Sequence, residues 1–275
     1  EYDLAIVNGN HFDCEAQIII LDDRKQESLE RKVDRLKNVV AIIEHESTQI
    51  PQFLSDSEAP RFSTQQVTAI SSEIRSLFLK PCPVFGLVLA GGRSTRMKQD
   101  KSLLKYHGKP QREYMQELLS SHCTEVFSSC RPDQEEDFSS LNPLTDKVIG
   151  MGPTGGIISA FMSNPNVAWM VAAIDLPYVD DNCIKELVEN RDPSKFATAF
   201  NNLETGFPDP LLTIWEPKCY DRLLKFLAKG YSCPRKVLIN SDISLKNPSN
   251  QEWLKNVNTP ENLSEIQINN LSQAK

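Results

Sequence analysis

The apolar run VFGLVL, Val84–Leu89, followed at once by AGGRSTRMKQDK, is the stretch that most narrows what this chain can fold into. The run reads as a buried strand. The two glycines behind it end the strand and let backbone N–H groups approach an anion. Between Arg93 and Lys109 there are six cations and one acid, Asp100, although the 275-residue chain carries a net charge of −7. That local reversal points to a triphosphate, which needs both backbone donors and neutralising side chains; a basic surface turn is the plainer reading. A Walker-type phosphate loop is excluded, because no Gly-Lys-Ser/Thr follows four intervening residues.

From Val84 onward strands and helices alternate. VFGLVLA is a strand and PQREYMQELLSSH a helix, with Pro110 suited to its first turn and Tyr114, Met115, Leu118 and Leu119 on one face. EVFSS, DKVI and WMVAAID are further strands, and GGIISAFMS is a helix between the last two. DDNCIKELVEN and PKCYDRLLKFLAKG are helices, the second closed by Gly230. Such alternation predicts an α/β sandwich around a mainly parallel sheet, with ligands beyond the carboxyl ends of the strands.

Residues 1–62 read as a partial α/β segment. LAIV, QIIIL and VVAII look like strands, QESLERKVDRLKNV like a helix, and STQIPQFLSDSEAPRFST like a linker or long surface loop. Residues 63–83 hold a helix closed by PCP, and 84–275 form the main domain. A chain that opens on Glu1 and runs at once into YDLAIV is expected to lack an earlier segment.

Composition excludes several classes. With 40% hydrophobic and 24% charged residues, the chain is an ordinary globular one. Its acidity argues against a nucleic-acid partner or an anionic membrane surface. No segment approaches the ~18 apolar residues of a membrane span. The seven cysteines are odd in number, scattered and free of C-x-x-C pairs, so reduced thiols and a cytoplasmic setting are expected.

Two further motifs need weighing. GMGPTG, Gly150–Gly155, fits G-x-G-x-x-G, with an acid, Asp175, at about the spacing of a dinucleotide site. Pro153 removes a donor from that loop, so a tight Gly-Pro turn is the better reading. In AAIDLPYVDDN, Asp175 ends a buried strand and points a carboxylate at the sheet's carboxyl edge, where it suits a divalent ion bridging to phosphate. Asp180 or Asp181 caps the following helix more naturally.

Together, LAGGRSTRMKQDK, GPTGG, AAIDLPYV and NVNTPENL resemble the nucleotidyltransferases of molybdenum cofactor biosynthesis, the molybdenum cofactor guanylyltransferases, over about Val84 to Ile266. The resemblance implies a Rossmann-like nucleotidyltransferase sandwich. It implies transfer of GMP from GTP to the phosphate of molybdopterin, with Mg²⁺ and release of pyrophosphate. By position, Leu89, Ala90, Gly91, Gly92 and Arg93 would hold the nucleotide, Arg96 and Lys101 its phosphates, and Asp175 the Mg²⁺. Asn256 and Asn258 would face the pterin.

There are departures: Lys98 replaces a usual glycine, Ser128 stands for an asparagine near the nucleotide, and VIGMGP lacks the acid expected after the third strand. A cytidylyl- or sugar-nucleotidyltransferase is the alternative within the same chemistry. A decayed nucleotide-binding regulatory module is the alternative outside it. YDLAIVNGNHFDCEAQIIILD is similar to the later half of the P-loop adaptor protein of molybdopterin dinucleotide synthesis, without its phosphate loop. An unpaired edge in that remnant would favour a homodimer.

Overall fold

The computed structural model describes residues 6, 7, 9, 14–45, 49–78, 81–92 and 101–257. The chain divides into two compact units, Glu1–Lys80 and Pro81–Lys275.

The first unit is a three-stranded parallel sheet, β1 (Gln17–Ile20), β2 (Val39–Glu44) and β3 (Arg61–Ser63), in that order. Ile19, Leu21, Ile42 and Leu54 form its core. The helix expected over Gln26–Val39 is cut to α1 (Gln26–Glu30) and a 3-10 turn at Val33–Arg35. The chain must re-enter the sheet at Val39, and Asn38 makes that turn at φ 46°. Gln17 fixes it by donating to Arg35 O and accepting from Lys37 N. The stretch expected to be a linker supplies β3, paired with Ile42–Glu44. Its polar, proline-flanked sequence hides a strand only three residues long. α2 (Val67–Phe78) is the expected helix. Of LAIV, Ile6 and Val7 are described, and they are not strand.

The second unit holds β4 (Val84–Leu89), α3 (Gln111–Ser120), β5 (Val126–Cys130), β6 (Pro143–Thr145), α4 (Pro153–Ser163) and β7 (Ala168–Ala173). It continues with α5 (Asp181–Glu189), β8 (Ala197–Asn202), β9 (Phe207–Trp215), α6 (Cys219–Ala228), α7 (Pro234–Ile239) and β10 (Ser244–Lys246). The seven strands run β10-β8-β9-β7-β4-β5-β6, and only β9 is antiparallel to its neighbours. The α/β sandwich with a mainly parallel sheet is therefore observed.

Alternation along the strands builds a core on each face of the sheet. In β7, every residue is buried: Ala168, Met170 and Ala172 join one core, Trp169 and Val171 the other. Pro110 caps α3 from outside rather than lying in its first turn. The strand expected at DKVI lies three residues earlier, at Pro143–Thr145. A proline at its first residue is tolerated because β6 is an edge strand.

Chain order fixes where a ligand can sit. From β4 the chain moves outward to β5 and β6, then returns to place β7 on the other side of β4. The sheet opens at the carboxyl ends around this reversal.

Candidate active site

A cavity of about 610 Å³ occupies that opening. Leu89, Gly91 and Gly92 line it from the end of β4, and Ala173, Ile174 and Asp175 from the end of β7. Ser129 enters from β5 and Arg131 from just beyond it, Asp146, Val148, Ile149, Gly150 and Gly152 from the segment after β6, Leu211 from β9, and Lys101 from the basic loop. Ala90 is 1% exposed and sits in the core beneath its neighbours. Arg93, Arg96, Lys98 and Asn258 lie outside the described residues.

Three segments distant in sequence meet at Asp175. Lys101 Nζ donates to Val257 O at 3.0 Å, and Val257 N donates to Asp175 O at 2.8 Å. The chain near NVN thus ties the basic loop to the strand end. Asn256, next to Val257, is exposed and does not line the cavity. The loop's far end is also pinned: His107 stacks on Tyr114 at 3.8 Å, and its Nε2 donates to Pro177 O at 2.8 Å. Tyr114 O–H donates to Val179 O at 3.1 Å. Both aromatic groups therefore grip the segment behind Asp175.

Burial pushes the Asp175 carboxyl above the usual range; Lys101 opposes the rise and Asp209 adds to it. Its Oδ1 is buried with no hydrogen-bond partner among the described residues. Such an orphaned acceptor is costly unless a ligand completes it. A hard carboxylate oxygen beside a cavity large enough for a nucleotide fits Mg²⁺. The neighbouring Tyr106 phenol is pushed up to about 12 by burial and by the charges of Asp175 and Tyr178.

The sequence reading missed the opposite wall. Asp146, directly after β6, accepts from Ser129 Oγ at 2.7 Å. Burial raises its carboxyl, against the hydrogen bond from Ser129 and the charge of Arg131. An acid does follow the third strand; placing that strand three residues late concealed it. Ser128 is not at the cavity: it is fully buried, and its Oγ donates to Gln116 Oε1 at 2.9 Å on the α3 face. Arg131 Nη1 donates to Gly91 O at 2.8 Å and holds the glycine turn against β5. Of GMGPTG, Gly150, Gly152 and Pro153 line this same cavity, so the motif is a wall of one site and not a separate dinucleotide loop. Gly156 lets α4 approach: a Cβ there would lie 2.6 Å from Ser129 Oγ and 3.4 Å from Asp146 Oδ1.

Comparison with known proteins agrees with this geometry. The profile of the MobA-like NTP transferase domain matches residues 86–243. A molybdenum cofactor biosynthesis bifunctional protein of Synechocystis is 36% identical over 186 residues, 67% of this chain and 54% of that one. The chain thus spans about half the length of that relative. A molybdenum cofactor guanylyltransferase of Xanthomonas euvesicatoria is 29% identical over 196 residues, 67% of this chain and 94% of the relative. Among solved structures, the molybdopterin-guanine dinucleotide biosynthesis protein A of Archaeoglobus fulgidus superposes with a TM-score of 0.57 at 23% identity. That match covers 67% of this chain and 97% of the other, a likeness of fold. A cavity at the strand reversal, walled by glycines, a lysine and two carboxylates, is what nucleotide transfer requires, and the chain belongs to the MobA-like NTP transferase family.

Proposed function

We propose that this chain transfers GMP from GTP to the phosphate of molybdopterin, forming the dinucleotide cofactor and releasing pyrophosphate. The observation that carries the reading is the meeting of Lys101, Val257 and Asp175 at the cavity. It joins the phosphate-binding motif, the acid and the NVN motif in one place. The guanylyltransferase name of the Xanthomonas relative supports this donor and acceptor.

In this reading Leu89, Gly91 and Gly92 lay their backbone against the triphosphate, with Ala90 holding the turn from below. Arg93 and Arg96 would extend that contact from the basic loop. Arg96 and Lys101 neutralise charge that builds on the departing oxygens. Asp175 would hold Mg²⁺, which when bound would supply Lewis-acid neutralisation of phosphate charge. Asp146 and Ser129 lie two or three strand spacings from β7, roughly 10–14 Å, and offer a carboxylate and a hydroxyl to the nucleoside end. An ionised phosphate oxygen of the acceptor bonds to the α-phosphorus. The bond to the bridging oxygen breaks, and its electron pair leaves with pyrophosphate. The attacking oxygen carries no proton at neutral pH, so positioning replaces a general base. Asn256 and Asn258 belong to the pterin side.

The first unit we assign to an adaptor-like segment, 1–62, joined through 63–83 to a transferase domain, 84–275. Pairing of two copies along the edge of β1 is the dimer we propose; a chain that elutes as a monomer would end that idea. The setting is the cytoplasm, in keeping with seven free thiols.

The test is pyrophosphate release from GTP and Mg²⁺ with and without molybdopterin. Release that depends on the acceptor and falls with CTP supports the proposal. Faster turnover with CTP, or transfer to a sugar phosphate, would replace it with the corresponding transferase.

A further inference from the structure

We propose that Ile149 is a specificity-determining residue of the donor site, an apolar lip at the mouth of the cavity that covers the face of the nucleobase whose edge meets Asp146. The inference rests on the reading that a nucleoside triphosphate occupies this cavity.

The two ends of the cavity differ in chemistry. Lys101 and Asp175 line it on the β7 side, where charge suits phosphate and cation. β6 lies three strand spacings from β7, about 14 Å. On that side the lining is Ser129, Pro132, Asp146, Val148 and Ile149. It combines apolar walls with one polar pair, Ser129 Oγ donating to Asp146 Oδ1 at 2.7 Å. A nucleobase has the matching form, two apolar faces and a hydrogen-bonding edge.

Ile149 is presented on a fixed support. Ser159 Oγ, on the buried face of α4, accepts from Lys147 N at 2.8 Å and Val148 N at 3.4 Å, and donates to Gly155 O at 2.7 Å. α4 lies so close to this segment that a Cβ on Gly155 would collide with Val148 O. Beyond Ile149 the chain turns at Gly150, φ 80°, and Gly152, φ 56°, and enters α4. A Cβ on either glycine would meet nothing within 4 Å, so the turn itself, and not crowding, calls for them.

The two neighbours at the end of this support are used differently. Val148 packs against the core that α4 helps to build, whereas Ile149 is 69% exposed although it lines the cavity. A lone exposed isoleucine is ordinary on a surface. One held at the mouth of a cavity, three residues from its carboxylate, is a preformed contact for a ligand. A base laid against it removes apolar area from water on both partners. Asp146 then reads the edge and Ile149 covers the face, and the phosphates gain nothing from Ile149.

The experiment is calorimetry on the full chain with Mg²⁺, comparing GTP with inorganic tripolyphosphate, which carries phosphates and no base. Ile149→Ser should weaken GTP binding roughly 5–15-fold and leave tripolyphosphate binding unchanged. Ile149→Leu, which keeps an apolar face, should retain most of the GTP affinity. Unchanged GTP affinity in Ile149→Ser overturns this inference and leaves the donor reading standing. Equal weakening of GTP and tripolyphosphate, or an earlier thermal melt without ligand, would make Ile149 a support of the loop and also overturn it. A chain that prefers CTP, and loses that affinity in Ile149→Ser, keeps the lip and replaces the guanine reading. An unaltered chain that binds GTP no more tightly than tripolyphosphate holds no base, and both proposals fall.

Discussion

The two ends of the seven-stranded sheet bury charge in opposite ways. At the amino end of β4, Glu216 is 2% exposed, and both of its oxygens are taken by Arg191, Nε at 2.7 Å and Nη2 at 2.9 Å. The third guanidinium nitrogen, Nη1, donates to Cys82 O at 3.0 Å. At the carboxyl end, Asp175 keeps a buried oxygen without a hydrogen-bond partner among the described residues. A carboxylate is satisfied in one place and left open in the other. A satisfied pair cannot accept a ligand, and an open carboxylate contributes little to folding. The contrast separates the scaffold from the reacting centre.

Four substitutions test that contrast. The largest effect belongs to the scaffold end. Glu216→Ala leaves a buried guanidinium unpaired and should cost about 3–5 kcal/mol of stability, measured by denaturant unfolding. Loss of activity there should track the unfolded fraction. A well-folded Glu216→Ala with impaired catalysis would break the comparison.

At the open end the signs should reverse. Asp175→Asn should lower turnover at least about a hundredfold, because several kcal/mol of charge stabilisation at the phosphates is lost. Its metal-free melting temperature should hold or rise. Steady-state pyrophosphate release paired with a thermal melt decides the point, and a variant that melts early would return Asp175 to the scaffold.

Asp146→Asn should raise the melting temperature more modestly while weakening nucleotide binding, read by calorimetry with GTP. Burial raises this carboxyl in the folded state, so the unfolded chain releases its proton at a lower pH. Stability therefore falls as pH rises through the interval between the two values. The asparagine variant should lack that fall; if it shows the same pH profile, another group is responsible.

The smallest effect is expected at His107. Its hydrogen bond to Pro177 O and its stacking on Tyr114 hold the basic loop against the segment after Asp175. His107→Ala should cost about 0.5–1.5 kcal/mol and raise the Michaelis constant for GTP more than it lowers turnover. An equal loss in both would place His107 closer to the chemistry than the geometry puts it.

Much of this architecture is legible in the residues themselves. VFGLVL and WMVAAID are continuous apolar runs that only a strand buried on both faces uses, and both are central strands. The helices after them carry apolar stripes at helical spacing, and Gly230 closes α6 at φ 82°. The glycine-cation cluster and the acid after WMVAAI marked the two sides of the site before any fold was known. β8, β9 and β10 were not legible. β9 carries Pro208 and Pro210, which read as loop, but its pairing with β7 begins at Leu212, beyond both prolines.

Sequence alone therefore determined the strand–helix alternation, the cation-rich loop and the carboxylate at Asp175, because periodicity and local charge are properties of neighbours along the chain. Only the tertiary structure decided that Asp146 belongs to the cavity wall, that Ser128 faces α3, and that Val257 joins Lys101 to Asp175. These are meetings of residues far apart in sequence. They follow from strand order and register, which the packing of the whole sheet selects and no local pattern encodes.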